Sequence, residues 1–334
     1  MDKIKWGVLG TAKIACEKVI PAMKKSKFSE VYAIASRTEV KAEQCQKKRN
    51  IPFAYTSYEA LLKNKDIQAV YIPLPNHLHV EWTIKALKAG KHVLCEKPIA
   101  LSVNDLKKIR KTANETGLKV SEAFMVKNHP QWIQTKKLID EGKIGKLQSI
   151  HGFFSYYHTD RNDIRYKYKE GGGAMWDIGC YPVFASRFIF DEEPLKVIAL
   201  LKYDKQSGVD ILNSAILDFP SGQATFTVGT QLVPYQRMQF FGSEKMLEIQ
   251  IPFNAPPAKT TDLYIKQGDL FDKDKETIQI ESINQYTIQA DAFSQAIINN
   301  TEVSVTLDNS LKNTAVIAAL FKSVRSGKWE VPEY

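Results

Sequence analysis

From Ile4 to Phe124 the chain alternates short apolar runs with helix-like segments, and no other feature constrains its fold as tightly. Ile4–Leu9, residues 31–35, Ala69–Ile72, His92–Cys95 and residues 120–124 read as strands. Helical patterns fill 12–25, 40–48 and 80–89, and a further helix opens at Ser102-Val103-Asn104-Asp105, a capping-box variant, and stops at Gly117. Strands alternating with helices over short connections build a parallel sheet with right-handed crossovers. The expectation is an N-terminal α/β domain, doubly wound.

The grammar changes near Lys127. A helix over 133–140 precedes a long strand, Leu147–Tyr157. After a loop rich in Asp, Arg and Tyr comes Gly171-Gly172-Gly173 and a helix over 174–190. Strands then follow directly at 197–203, 211–219, 223–232, 237–242 and 246–251, with turn signals such as Ser221-Gly222 between them. Helices over 286–298 and 310–326 finish the chain. This half reads as α+β, with an antiparallel or mixed sheet. At 334 residues the chain suits two domains of about 150 residues each. The expected division is 1–126 and 127–334.

Composition excludes several classes. The formal charge of +9 comes from scattered lysines such as Lys24-Lys25, Lys47-Lys48 and Lys136-Lys137, not from a basic tail, so nucleic acid is not an expected partner. A mildly positive field favours anionic ligands. The four cysteines form no CxxC pair, and Cys16, Cys95 and Cys180 read as buried thiols. No apolar run approaches the roughly 18 residues of a membrane span, and no signal peptide precedes Ile4, so a cytoplasmic location is expected. The histidines form no HExxH or other close ligand pair, which argues against a catalytic metal.

The turn after the first strand carries Gly10-Thr11-Ala12-Lys13-Ile14-Ala15. It aligns with the G-x-G-x-x-G fingerprint at Gly10, Ala12 and Ala15, and places a pyrophosphate on a helix N-terminus. The second strand ends in Ser36-Arg37-Thr38 with no carboxylate until Glu39. A guanidinium between two hydroxyls pairs with a 2′-phosphate, so the expected cofactor is NADP(H) rather than NAD(H). Pro73-Leu74-Pro75-Asn76-His77 follows the next strand; Asn76 and His77 either touch ribose or nicotinamide, or Asn76 caps the following helix.

Two further clusters carry chemistry. Glu96-Lys97-Pro98 follows a strand, where open α/β sheets place their ligands, and a cis proline would aim the lysine. In Gly171–Tyr181 the glycines free the backbone for close approach to a ligand, while Asp177 and Tyr181, four residues apart, share a helix face. A carboxylate, a phenol and a lysine make a proton-transfer set. Arg165, Tyr157 and His158, in the preceding loop, are candidates to line a substrate pocket.

In this order these motifs resemble the glucose–fructose oxidoreductase / inositol dehydrogenase / MocA family over most of the chain. The resemblance implies a Rossmann domain, a C-terminal, mostly antiparallel sheet whose open face pairs copies into a homodimer or homotetramer, and hydride transfer between a nicotinamide and a sugar, polyol or dihydrodiol. It implies Lys97 as the active-site lysine and Asp177 as the acid that positions substrate. Tyr181 stands where inositol-dehydrogenase-like members carry His, as in the sugar and dihydrodiol dehydrogenase branches. Lys127 stands where relatives often have Arg, so a bidentate contact with substrate is not expected there. The competing class is a regulator of the same fold that binds NADP without chemistry.

Overall fold

The computed structural model describes residues 3–269 and 271–334. In the first sheet, β1 (Ile4–Leu9), β2 (Ser29–Ala35), β3 (Phe53–Tyr55), β4 (Ala69–Ile72), β5 (His92–Cys95) and β6 (Val120–Glu122) lie in the order β3-β2-β1-β4-β5-β6. Every neighbouring pair is parallel. This is the doubly wound dinucleotide-binding order, with its switch point between β1 and β4. Ser102 accepts from the Asp105 N–H at 3.1 Å and starts the helix Val103–Thr116, which Gly117 ends in the left-handed conformation (φ 66°).

The second sheet contains β7 (Leu147–Tyr157), β8 (Lys196–Tyr203), β9 (Asp210–Phe219), β10 (Gly222–Gly229), β11 (Gln231–Gly242), β12 (Met246–Ile249), β13 (Thr261–Lys266) and β14 (Glu276–Ile280). Their order is β14-β13-β12-β11-β7-β10-β9-β8. All pairs are antiparallel except β7 with β10. One face buries Ile150, Phe154, Phe226, Met238, Phe240, Leu247 and Leu263. The other carries a row running Leu200, Ser214, Thr227, Phe153, Arg237 across five strands. It mixes exposed apolar groups with short polar links, such as Ser214 to Thr227 at 2.9 Å.

The chain forms two compact units: Met1–Asn128 with Asn284–Leu311, and His129–Ile283 with Lys312–Tyr334. A single division near residue 126 therefore misses the return of 284–311. The reason is legible in the core. Trp6 is fully buried in β1, and its indole N–H needs a partner there. Ser294, on the helix Gln285–Ile298, accepts it at 3.1 Å, and Phe293 packs its ring 5.4 Å away.

Two helices open irregularly. In the segment over 13–23 the stretch Ala15–Val19 is a wide π-type turn, with the Ile20 N–H reaching Ala15 O, and Pro21 follows. The stretch Met175–Gly179 is likewise a π-type turn, followed by the helix Cys180–Phe190 with Pro182 in its first turn. Proline has no N–H and its ring crowds the carbonyl four residues back, so widening the turn just before it relieves the clash.

Candidate active site

In the first unit, Gly10 has φ 121°, and its N–H donates to Ala35 O at 2.8 Å. A Cβ on Gly10 would come within 3.0 Å of Leu74 and 4.0 Å of the Tyr58 hydroxyl. Only glycine suits this turn, on conformational and steric grounds alike. Thr11 and Ala12 are half-buried beyond it, and Ile14 packs partly against the core. The first bond of the helix runs from the Cys16 N–H to Ala12 O, so the N–H groups before Cys16 belong to an open helix N-terminus.

Ser36 is buried, with its N–H on Tyr55 O at 3.1 Å and its Oγ accepting from the Thr38 N–H at 3.3 Å. Thr38 and Arg37 are exposed. The Arg37 guanidinium hydrogen-bonds the Tyr58 hydroxyl; burial pushes that phenol's pKa up, and Arg37 opposes the rise. The structure thus joins Arg37, through Tyr58, to the Gly10 turn. These residues fit a dinucleotide bearing a 2′-phosphate: the turn leads into an open helix N-terminus and the strand end offers a cation.

Pro73 is buried and Leu74 covers Gly10. Asn76 heads the short turn Asn76–Leu78, while Leu78 occupies the cap of the helix His79–Lys88, so Asn76 is not that helix's cap. His77 is exposed. His79 was not singled out from the sequence. Fully buried, it sets Nδ1 2.7 Å from Pro98 O and Nε2 2.7 Å from Leu74 O, tying together the loops after β4 and β5. Burial outweighs both carbonyls and, with the Lys97 and His77 charges, pushes its pKa down to about 4.

Lys97 is half-buried, and the Lys97-Pro98 peptide is cis. Glu96 accepts from the Tyr71 hydroxyl at 2.5 Å and from the Lys97 N–H at 3.3 Å. Burial, followed by the charge of Glu96, raises the Tyr71 pKa. Lys127 lies half-buried on the turn Met125–Asn128.

In the second unit, β7 organises the site. Its buried face presents Gly152, Phe154 and Tyr156, alternate residues on one side of the strand. A Cβ on Gly152 would lie 3.3 Å from Pro182. Phe154 meets the Tyr181 ring edge-on at 5.9 Å. The Tyr156 hydroxyl donates to Asp177 Oδ2 at 2.5 Å. Asp177 and Tyr181 therefore do share a face, the one turned to β7. Tyr181 is 5% exposed, and Phe253, stacked on Phe154 at 4.8 Å, lies 5.3 Å from its ring.

Arg165, a candidate to line the pocket, is engaged by two carboxylates. Its Nε donates to Asp177 Oδ2 at 3.0 Å and its Nη1 to Asp163 Oδ1 at 3.1 Å. His158 Nε2 sits 3.5 Å from Asp163. Tyr156 and Arg165 thus hold Asp177 from two sides. Burial, then the Asp177 charge, keeps the Tyr156 phenol protonated, and Asp177 holds Arg165 in its charged form. Tyr156 escaped the sequence reading, because alternation on a strand does not reveal which residue faces an acid.

Two of the three glycines lie close against neighbours within the protein. A Cβ on Gly172 would lie 2.5 Å from Arg165 O, and one on Gly173 (φ 115°) 2.1 Å from Asp210 Oδ1. At Gly172 and Gly173 the missing Cβ makes room for neighbours within the protein. Among the described residues no three His, Cys, Asp or Glu side chains gather as metal ligands, and no helix is long and apolar enough to cross a membrane.

Residues 4–124 match the oxidoreductase family with an NAD-binding Rossmann fold, and 132–248 match the GFO/IDH/MocA C-terminal domain. The chain is 40% identical over 332 residues to a Rhizobium meliloti protein called uncharacterized oxidoreductase ORF334, covering 99% of both. It is 33% identical to a D-xylose 1-dehydrogenase (NADP(+)) of Haloferax volcanii, covering 96% of this chain and 98% of that one. The crystal structure of a 3-ketoreductase from Actinomadura kijaniata, in complex with NADP and TDP-benzene, superposes with a TM-score of 0.89 at 32% identity, covering 96% and 98%. With the Gly10 turn, the cis Lys97-Pro98 and the Asp177–Tyr181 helix each set as described, the chain belongs to the Gfo/Idh/MocA family of oxidoreductases.

Proposed function

We propose that this protein is an NADP(H)-dependent oxidoreductase that interconverts the carbinol and carbonyl of a sugar-like substrate, an aldose, polyol or dihydrodiol. The observation that carries the reading is the setting of Asp177 over Tyr156 and Tyr181 over Phe154 along one strand, in a chain with a Gly10 turn joined to Arg37. The named xylose dehydrogenase and the ketoreductase complex support NADP as cofactor. Gly10, Thr11, Ala12 and Ile14 would receive its pyrophosphate, Ser36, Arg37 and Thr38 its 2′-phosphate, and Pro73, Asn76, His77, Glu96 and Lys97 its ribose and nicotinamide end. When bound, the nicotinamide supplies the hydride acceptor or donor.

The protein's own groups handle the proton. Lys97 donates a hydrogen bond to the reacting oxygen. Tyr181 takes the hydroxyl proton in oxidation and returns it in reduction. A free tyrosine ionises near pKa ~10, so acting as a base near neutrality requires that the phenolate be favoured. Asp177 accepts from a neighbouring substrate hydroxyl; with Tyr156 and Arg165 fixing it, the ring is presented in one orientation. Lys127 and Arg165 serve substrate binding, Arg165 by way of Asp177.

The exposed row with Leu200 (77% exposed), together with Ile216 and Tyr235 on the same sheet, is the surface on which a second copy would pair. Leu200→Asp is expected to shift the protein to monomer in light scattering; an unchanged mass would remove this face from the account. The functional test is a panel of aldoses, polyols and dihydrodiols with NADP⁺, and the matching carbonyl compounds with NADPH, followed by absorbance of the reduced cofactor. Turnover on one class is expected. Tight NADPH binding with no turnover on any would favour the regulator.

A further inference from the structure

The helix that carries Asp177 and Tyr181 begins from Gly171-Gly172-Gly173-Ala174-Met175, which holds no Ser, Thr, Asp or Asn to cap it. Its cap position, Ala174, makes no side-chain bond. A helix start buried in this way needs acceptors from elsewhere for its free N–H groups. Asp210, 3% exposed at the start of β9, supplies them. Its Oδ2 accepts from the Met175 N–H at 2.6 Å, and the Ala174 N–H bonds the same carboxylate. Asn213, fully buried on the same strand, donates its amide to Oδ2 at 2.5 Å.

We propose that Asp210 is a positioning residue for this enzyme: its carboxylate anchors the N-terminus of the helix that aims Asp177 and Tyr181, and Gly173 leaves room for it. The catalytic consequence rests on the function proposed above, whereas the anchoring rests on geometry alone. Gly173 marks the fit most sharply, since any Cβ there would strike the carboxylate. The Asp177 N–H donates to Gly173 O at 3.0 Å, so the first internal bond of the segment starts from the residue that Asp210 abuts. Between this anchor and Tyr181 the turn is π-type, and its direction is set at the ends. On the other side Gly173 N–H donates to Arg165 O at 2.9 Å, and Arg165 itself holds Asp177. Asp210 and Arg165 thus both hold the segment that carries Asp177. A carboxylate at this end also complements the positive pole of the helix. Burial raises the Asp210 pKa, while the N–H groups and Asn213 favour the anion.

The test compares Asp210→Asn and Asp210→Ala with the wild type in three readouts: amide hydrogen exchange, NADPH affinity and steady-state kinetics. In Asp210→Asn, exchange at Ala174 and Met175 is expected to speed up by about tenfold while distant helices are unchanged. Its kcat should fall by roughly tenfold or more, with the NADPH Kd within about twofold of wild type. Asp210→Ala should show the same pattern, larger; if it does not fold, Asp210→Asn decides. Unchanged exchange at 174–177 would overturn the anchor. Faster exchange with kcat/KM retained would overturn the positioning role, as would a loss of NADPH affinity in step with kcat. Should the wild type turn over no substrate, the function proposed above fails while the exchange result still decides the anchor.

Discussion

The two helices that open the two candidate half-sites begin alike and are completed differently. Each follows a glycine turn with positive φ, each has a π-type first stretch, and each has a proline soon after. At Gly10 an added Cβ would meet a leucine methyl and, farther off, a phenol; at Gly173 it would meet a carboxylate. The first helix thus begins against neutral groups with a guanidinium at hand, which suits an anionic ligand. The second has its anion built in as Asp210, and turns its side chains to β7. A glycine-rich helix start is therefore not in itself a ligand cradle; what faces the glycine decides.

That contrast can be broken most severely on the second helix. Tyr181→Phe removes the proton-transferring hydroxyl and keeps the ring packing against Phe154 and Phe253, so turnover should fall by roughly 10² or more with NADPH affinity intact. Near-normal turnover would remove Tyr181 from the chemistry. On the first helix's side, Arg37→Ala should weaken NADPH binding by about tenfold, the value of a charge-assisted contact, and leave NADH binding unchanged; fluorescence titration of both cofactors reads this directly. An equal loss for the two would place Arg37 away from the 2′-phosphate.

The smallest effect on activity is a stability effect with a pH signature. His79, which joins the Leu74 and Pro98 loops, has its pKa lowered to about 4, so between pH ~6.5 and ~4 the unfolded chain binds the proton and the folded one does not. Stability is fully present above ~6.5 and is lost as pH falls toward ~4, by about 3 kcal/mol for this group. Urea unfolding at pH 7 and pH 5 should show a steeper loss for the wild type than for His79→Gln. Parallel curves would mean that His79 is not held neutral.

The first sheet was largely legible because its central strands are buried on both faces. Ile4–Leu9, Ala69–Ile72 and His92–Cys95 read as uninterrupted apolar runs and occur with those bounds. Phe53–Tyr55 was missed, being three residues on an edge, as were the helix Tyr58–Lys63 and the strands Thr261–Lys266 and Glu276–Ile280, whose polar alternation resembles loop. The motif residues Gly10, Lys97, Asp177 and Tyr181 stood out by local pattern. Their supports did not: Tyr58 beside Arg37, His79 on Pro98 O, Tyr156 on Asp177, and Asp210 on Met175 act across 19 to 35 residues. Contacts of that kind are made by topology, and no local periodicity encodes them.

The most direct measurement is a matched pair, Gly10→Ala and Gly173→Ala, each titrated with NADPH and assayed for turnover. Gly10→Ala should lose cofactor affinity, because the new methyl strains the turn and presses on Leu74 where the pyrophosphate would approach. Gly173→Ala should keep that affinity and lose turnover, because the methyl displaces Asp210 and with it the aim of Asp177 and Tyr181. If both variants lose the same property, or if Gly173→Ala alone loses cofactor, the division of labour between the two helix starts is contradicted.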